Sequence, residues 1–322
     1  MATPNLTSTT MKRLAFIRLM YQQGVDQSHL PEPLMYTSVL TFHDAVEWFL
    51  LLSGEHLGAS VSGNTEFKKY WTELSPAKCA NGVVLTGQVG MRRLNDWRNG
   101  FKHAGALPGR DHVEQARASV TTFFEENTPT VFGVLFDGID MADLVPQTST
   151  RQKIKMATAS NTTGDRAEAM ALLVEAFDEL FDSRIYPNGA RPTPFSFGPT
   201  IRYALREQEI VQTVRQPDSS GLPPGNPRRL GEQIREITDV TMAVQNAMRV
   251  VALGISYAEY RRFLDLTPRV WVNIKNESIR NFPQGYAPNQ EEFDYCQRFV
   301  VTVALRLAEL NAHTVPPSWK TT

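Results

Sequence analysis

Cysteine is scarce in this chain. Only Cys79 and Cys296 occur in 322 residues, far apart and without partners at metal-binding spacing. That excludes a thiolate zinc cluster and a disulfide framework, and it implies a reducing compartment. Excess charge of either sign is also lacking. The 33 Lys and Arg nearly balance 34 Asp and Glu, for a net charge of -1. A coat of positive charge for non-specific nucleic-acid binding is thereby excluded, though a local basic site is not. No long apolar run exists. The most apolar stretch, Trp48 to Leu52, cannot span a bilayer. Met1 to Thr10 is polar and lacks the apolar core of a secretory signal. Gly-rich phosphate loops, Gly-x-Ser-x-Gly elbows and His-Glu-x-x-His pairs are missing. The expectation is a cytoplasmic protein with no cofactor, no metal and no membrane partner. The sequons at Asn161 and Asn276 carry little weight in that setting.

What is present is helical periodicity. Hydrophobic residues at 42% and charged residues at 21% fit a globular chain, and its length exceeds what one core usually needs. Leu14, Phe16, Ile17, Met20 and Tyr21 share one face. Leu40, Ala45, Trp48, Phe49, Leu51 and Leu52 mark a second helix, and Phe67, Tyr70, Trp71 and Leu74 a short third. Leu85, Val89, Leu94, Trp97 and Phe101 describe a fourth, weakened by Gly87, Gly90 and Gly100. Asp111 and Glu114 read as a capping box opening a fifth. Polar, Thr-rich sequence after Pro146 reads as a linker. Further helices are expected over 166–181, 201–214, 228–253, 256–266 and 293–310. In the helix over 228–253, Leu230, Ile234, Ile237, Val240, Val244, Ala247, Met248 and Val251 are expected inward. Val270, Val272 and Ile274 alternate as a lone strand would. The fold class that follows is mainly α. A helical bundle over 1–147 is followed by a linker over 148–164 and a second, mostly helical domain over 165–322.

The candidate site is Arg98-Asn99-Gly100-Phe101-Lys102-His103, ahead of a break at Gly105 and Pro108. An arginine holds a phosphate through two parallel hydrogen bonds. A histidine moves a proton near neutral pH. On a straight helix five positions advance the side chains to about 140° apart, so Arg98 and His103 would not converge. Lys102 lies on the arginine's face. Convergence requires an unwound last turn at Gly100 to Gly105, or a second copy of the motif across a two-fold axis. The plainer alternative pairs Arg98 with Asp96 or Glu47 and leaves His103 as a helix C-terminal residue favoured by the dipole.

These residues, Arg98-Asn99-x-x-x-His103, resemble the Arg-x(4–6)-His signature of the HEPN ribonucleases, over roughly residues 10 to 145. The resemblance implies a HEPN-like N-terminal bundle that works as a homodimer with a composite active site. It implies a metal-independent endoribonuclease acting on RNA in antiviral defence or a toxin–antitoxin pair. His103 would be general base or acid, Arg98 would hold the scissile phosphate, Lys102 would add charge, and Asn99 would bind the phosphate or hold the histidine. The alternative is a non-catalytic nucleotide- or phosphate-binding module that regulates a partner protein. Residues 165 to 322 resemble nothing comparable.

A second polar group lies in an otherwise apolar helix. His43-Asp44-x-x-Glu47 sits on nearly one face, and such groups require partners. Glu47, or His43, would orient Arg98, or the group would form a buried salt bridge between helices. A third reading makes His29, His43 and Asp44 metal ligands as in HD phosphohydrolases, against which Pro31 and Pro33 break the helix His29 would need. His112 reads as structural. The arginines Arg228, Arg229, Arg235, Arg261, Arg262 and Arg269 read mostly as solvated helix sides, offset by Glu232, Glu236 and Glu259.

Overall fold

The computed structural model describes residues 6–180, 227–272 and 278–313. The expected helix over 201–214 lies outside them. The chain is mainly α and divides into two compact units, Met1–Leu144 and Val145–Thr322.

The first unit packs α1 (Ser8–Ser28), α2 (Ser38–Leu57), the single turn α3 (Tyr70–Glu73), α4 (Gln88–Ala104) and α5 (Arg110–Phe132). The helix α2 lies at the centre, against α1, α4 and α5. Its Phe42, Ala45, Val46, Phe49 and Leu50 recur at helical spacing and are wholly buried. Phe49 meets Phe123, Phe124 and Phe132 edge-on at centroid distances of 5.4, 5.5 and 5.5 Å. Such pairs add about 0.5–1.5 kcal/mol beyond area burial. Arg18, buried in α1, donates to the Ile139 carbonyl and fastens the chain after α5. Asp140 caps the turn leading to Leu144 by accepting the Ala142 N–H at 2.9 Å.

The glycines of α4 have separate roles. Gly87 stands before the helix at φ 73°, a left-handed conformation that glycine adopts at no steric cost. A Cβ at Gly90 would meet Ser119 Cβ at 2.9 Å, so glycine permits α4 to lie close on α5. The entry to α4 is clamped. Buried Asn127 accepts the Thr86 N–H at 2.9 Å and donates to Thr86 Oγ1 at 3.2 Å, while the Trp71 indole donates to the Thr86 carbonyl at 3.2 Å.

Several details differ from the sequence reading. Phe16 and Trp48 stack edge-on at the surface, 5.9 Å apart, instead of entering the core. Val89 faces solvent. The cap of α5 is Gly109, whose N–H donates to His112 Nδ1 at 3.2 Å, and Asp111 lies inside the first turn. Residues expected as a linker form α6 (Thr148–Thr162), which buries Thr150, Ile154 and Ala157.

The second unit packs α6 on α7 (Arg166–Leu180), and α7 on α10 (Gln290–His313). Between them in sequence come α8 (Pro227–Ala252), α9 (Tyr257–Leu266) and the hairpin strands β1 (Arg269–Val272) and β2 (Ser278–Asn281). The strands pair antiparallel with Val270 opposite Arg280, so the expected lone strand has a partner. Ile274 lies outside the described residues. Ser256 and Glu259 form a reciprocal cap on α9. Phe177, Tyr260, Phe263 and Phe299 stack into the core. The apolar face expected inward on α8 is exposed at Ile237, Val240, Val244, Met248 and Val251. No helix among the described residues is long and apolar enough to cross a membrane.

Candidate functional site

The motif lies on the last turns of α4. The helix runs unbroken through Gly100 and Lys102 to Ala104, and Gly105 ends it at φ 64°. Gly100 takes part in that ending, its carbonyl accepting from the Ala106 N–H at 3.1 Å. A regular helix was expected to hold Arg98 and His103 apart. The structure brings them together without unwinding, because the guanidinium stands at the end of a long, flexible stem. Arg98 Nη1 reaches to 3.5 Å from His103 Nε2 and donates to Asn99 Oδ1 at 3.0 Å. Asn99 thus holds the arginine, not the histidine.

The electrostatics of this end are unbalanced. Among the described residues no carboxylate pairs with Arg98, and neither Asp96 nor Glu47 reaches it. Lys102 and His103 are exposed beside it. Three basic side chains therefore surround the negative end of a helix dipole with no fixed counter-charge, and the half-buried guanidinium keeps donors free. A guanidinium only donates, so this contact is a hydrogen bond where Nε2 is the accepting nitrogen of the ring.

The structure does not bring Glu47 to Arg98. Glu47 lies on α2 with Oε2 at 4.0 Å from His43 Nδ1, and Asp44 Oδ1 is 3.8 Å from the same nitrogen. Burial, and after it the charge of Glu47, push the Tyr70 hydroxyl up to about 12. The link between α2 and α4 runs instead through His43 Nε2, 3.1 Å from Asn95 Oδ1. Asn95 precedes Arg98 by three positions and Asn99 by four, so it shares their side of α4. His43 is buried and stacks on Phe67 at 4.7 Å. Its Nδ1 has no hydrogen-bond partner.

The potential ligand atoms of His43, Asp44 and Glu47 lie within 4.8 Å of one another. His29 is not among them. It is exposed after α1, its backbone N–H donated to the Asp26 carbonyl. His112 is structural, stacking on Trp97 at 4.9 Å besides capping α5.

Asn95 and Asn127 are positioning residues that sequence reasoning missed. Asn127, a fully buried amide among phenylalanines, carried a signal of its own: a polar group there must hydrogen-bond.

Comparison of the chain with known protein families, with curated proteins and with solved structures finds no match. The site stands on its geometry and on the resemblance of its motif.

Proposed function

We propose that this protein is a metal-independent endoribonuclease that cuts RNA at the Arg98–His103 end of α4. One observation carries the reading. A guanidinium with no carboxylate partner among the described residues lies 3.5 Å from Nε2 of an exposed histidine. That pairs a phosphate holder with a proton acceptor on an open helix end.

The steps follow from the groups present. Arg98 receives a non-bridging phosphate oxygen, and Lys102 adds charge beside it. His103 Nε2 takes the proton of the ribose 2′-OH as that oxygen attacks phosphorus. The bond to the 5′-oxygen breaks, leaving a 2′,3′-cyclic phosphate and a 5′-hydroxyl. DNA lacks the nucleophile and is inert. A homodimer supplies a second histidine as acid for the leaving oxygen. A role in defence or a toxin–antitoxin pair, with a regulatory partner protein, rests on the resemblance of the motif alone.

A second reading has its own support. The motif lies on open helix surface, where a phosphate can bind without being cut. The protein is then a nucleotide- or phosphate-binding module acting on a partner.

Incubation of RNA with the protein in EDTA separates these readings. Wild type yields cyclic-phosphate ends, and His103→Ala lowers the rate about 100-fold or more, the usual contribution of a general base. Equal cleavage by both overturns the assignment. RNA binding without cleavage supports the module.

A further inference from the structure

We infer that His43, Asp44 and Glu47 form a binding site for a divalent transition-metal ion of the Zn²⁺ class, distinct from the cleavage chemistry. The sequence places a histidine and a carboxylate four apart on α2, with a second carboxylate between them. Acidic neighbours alone do not make a site. The histidine provides the independent sign. It is 3% exposed, and Nδ1 is buried without any hydrogen bond while facing two carboxylate oxygens.

The tautomer is fixed from the other side of the ring. An amide oxygen only accepts, so the contact with Asn95 Oδ1 makes Nε2 the donor. A neutral ring then points the Nδ1 lone pair at Asp44 and Glu47, and three electron-rich atoms face one another. A cation seated between them would give the buried Nδ1 the partner it lacks. Nδ1 stands 3.8 and 4.0 Å from the two carboxylate oxygens.

These separations suit an ion. Zinc ligands about 2.1 Å from the metal stand about 3.4 Å from each other in a tetrahedron, so Nδ1 and each oxygen close by about half an ångström, and the two carboxylate oxygens, within 4.8 Å of each other, by about 1.4 Å at most. Asp44 and Glu47 are partly exposed and can make that movement. The imidazole selects against Mg²⁺ and Ca²⁺, which prefer oxygen alone. Behind the ion, Nε2 faces Asn95 Oδ1 and the ring stacks on Phe67, contacts that hold the imidazole in the orientation a ligand needs. Because Asn95 belongs to α4, the ion would brace α2 against the helix that carries Arg98.

The test uses the full chain, stripped with chelator and dialysed, then titrated with Zn²⁺ by calorimetry and checked for metal content. About one Zn²⁺ per chain is expected, with a rise in Tm on binding. The Asp44→Asn/Glu47→Gln variant should bind about 10–100-fold more weakly or not at all. His43→Gln should behave alike; where it fails to fold by circular dichroism, the double variant carries the test. Absence of wild-type binding overturns the site, and so does equal binding by wild type and the folded double variant. Cobalt substitution gives a second readout, since visible absorption of bound Co²⁺ should vanish in the variant. The result is separable from the ribonuclease reading. Zinc binding without RNA cleavage leaves this site standing, and cleavage in EDTA without zinc binding removes only this site.

Discussion

At the residue scale, Gly24 and Gly100 show why the same residue type carries opposite consequences. Both lie within helices, where alanine is favoured by up to about 1 kcal/mol. A Cβ at Gly24 would meet the Phe42 ring at 2.7 Å, and that ring is wholly buried. Overpacking of this kind costs about 1–3 kcal/mol, more than the propensity gain. At Gly100 the nearest atom to a new Cβ is Ala106 Cβ at 3.8 Å, an ordinary contact. Gly24→Ala should lower Tm by about 2–8 °C, and Gly100→Ala should raise it by about 2–4 °C. Calorimetric scans of the two variants decide it; a stabilised Gly24→Ala would mean that α1 and α2 are less tightly packed than described. The reach of Arg98 belongs to this scale as well. Helix angles read from spacing locate Cβ atoms, but a long side chain ends far from its own Cβ. That is why the Arg98–His103 contact was not legible in the spacing, although the motif was.

At the scale of elements, amphipathic helices with large side chains were legible, and two kinds of signal were not. The helix α6 buries Thr150, Ile154 and Ala157, a stripe too small and polar to stand out from its Thr- and Lys-rich sequence. Conversely, α8 has an apolar stripe as regular as any in the chain, yet it lies exposed, because periodicity shows a face without showing what covers it. The hairpin is held by charge that sequence does not reveal. Arg280 on β2 pairs with Glu168 and, at 2.8 Å, with Glu175 of α7; Ser278 donates to Glu175 at 2.6 Å and Lys153 lies 3.4 Å away. Burial alone would raise the Glu175 carboxyl, but the Ser278 and Arg280 hydrogen bonds and the nearby positive charge outweigh it and hold the group below its ordinary value. A lowered folded pKa contributes stability above the unfolded value, and that contribution disappears as pH falls through the lowered one. Glu175→Gln should therefore lower Tm at pH 7, and the gap from wild type should close on acidification below about pH 4.5. A gap that stays constant with pH would show that charge is not its source.

At the scale of the whole molecule, composition and periodicity made the mainly α class legible, and the units divide after Leu144, close to the expected edge at 147. What the second unit does was not legible, because its described residues gather no comparable cluster outside the Glu175 network. The remaining question is how many chains one cleavage requires. Attack by the 2′-OH calls for a base, and departure of the 5′-oxygen calls for an acid, while the described site offers one histidine per chain. Two copies with their α4 ends facing one groove provide both. The dimer predicts a mass in solution of twice the 36.2 kDa chain. It also predicts a particular dose response. If each cut uses His103 from both copies, a mixed dimer of wild type and His103→Ala is dead. After exchange of subunits, activity then follows the square of the wild-type fraction, so an equal mixture at constant total protein retains a quarter of full activity. If each chain cuts alone, the response is linear and the mixture retains half. Measured cleavage rates across mixing ratios separate the curves, and a linear one would confine the chemistry to a single Arg98–His103 pair.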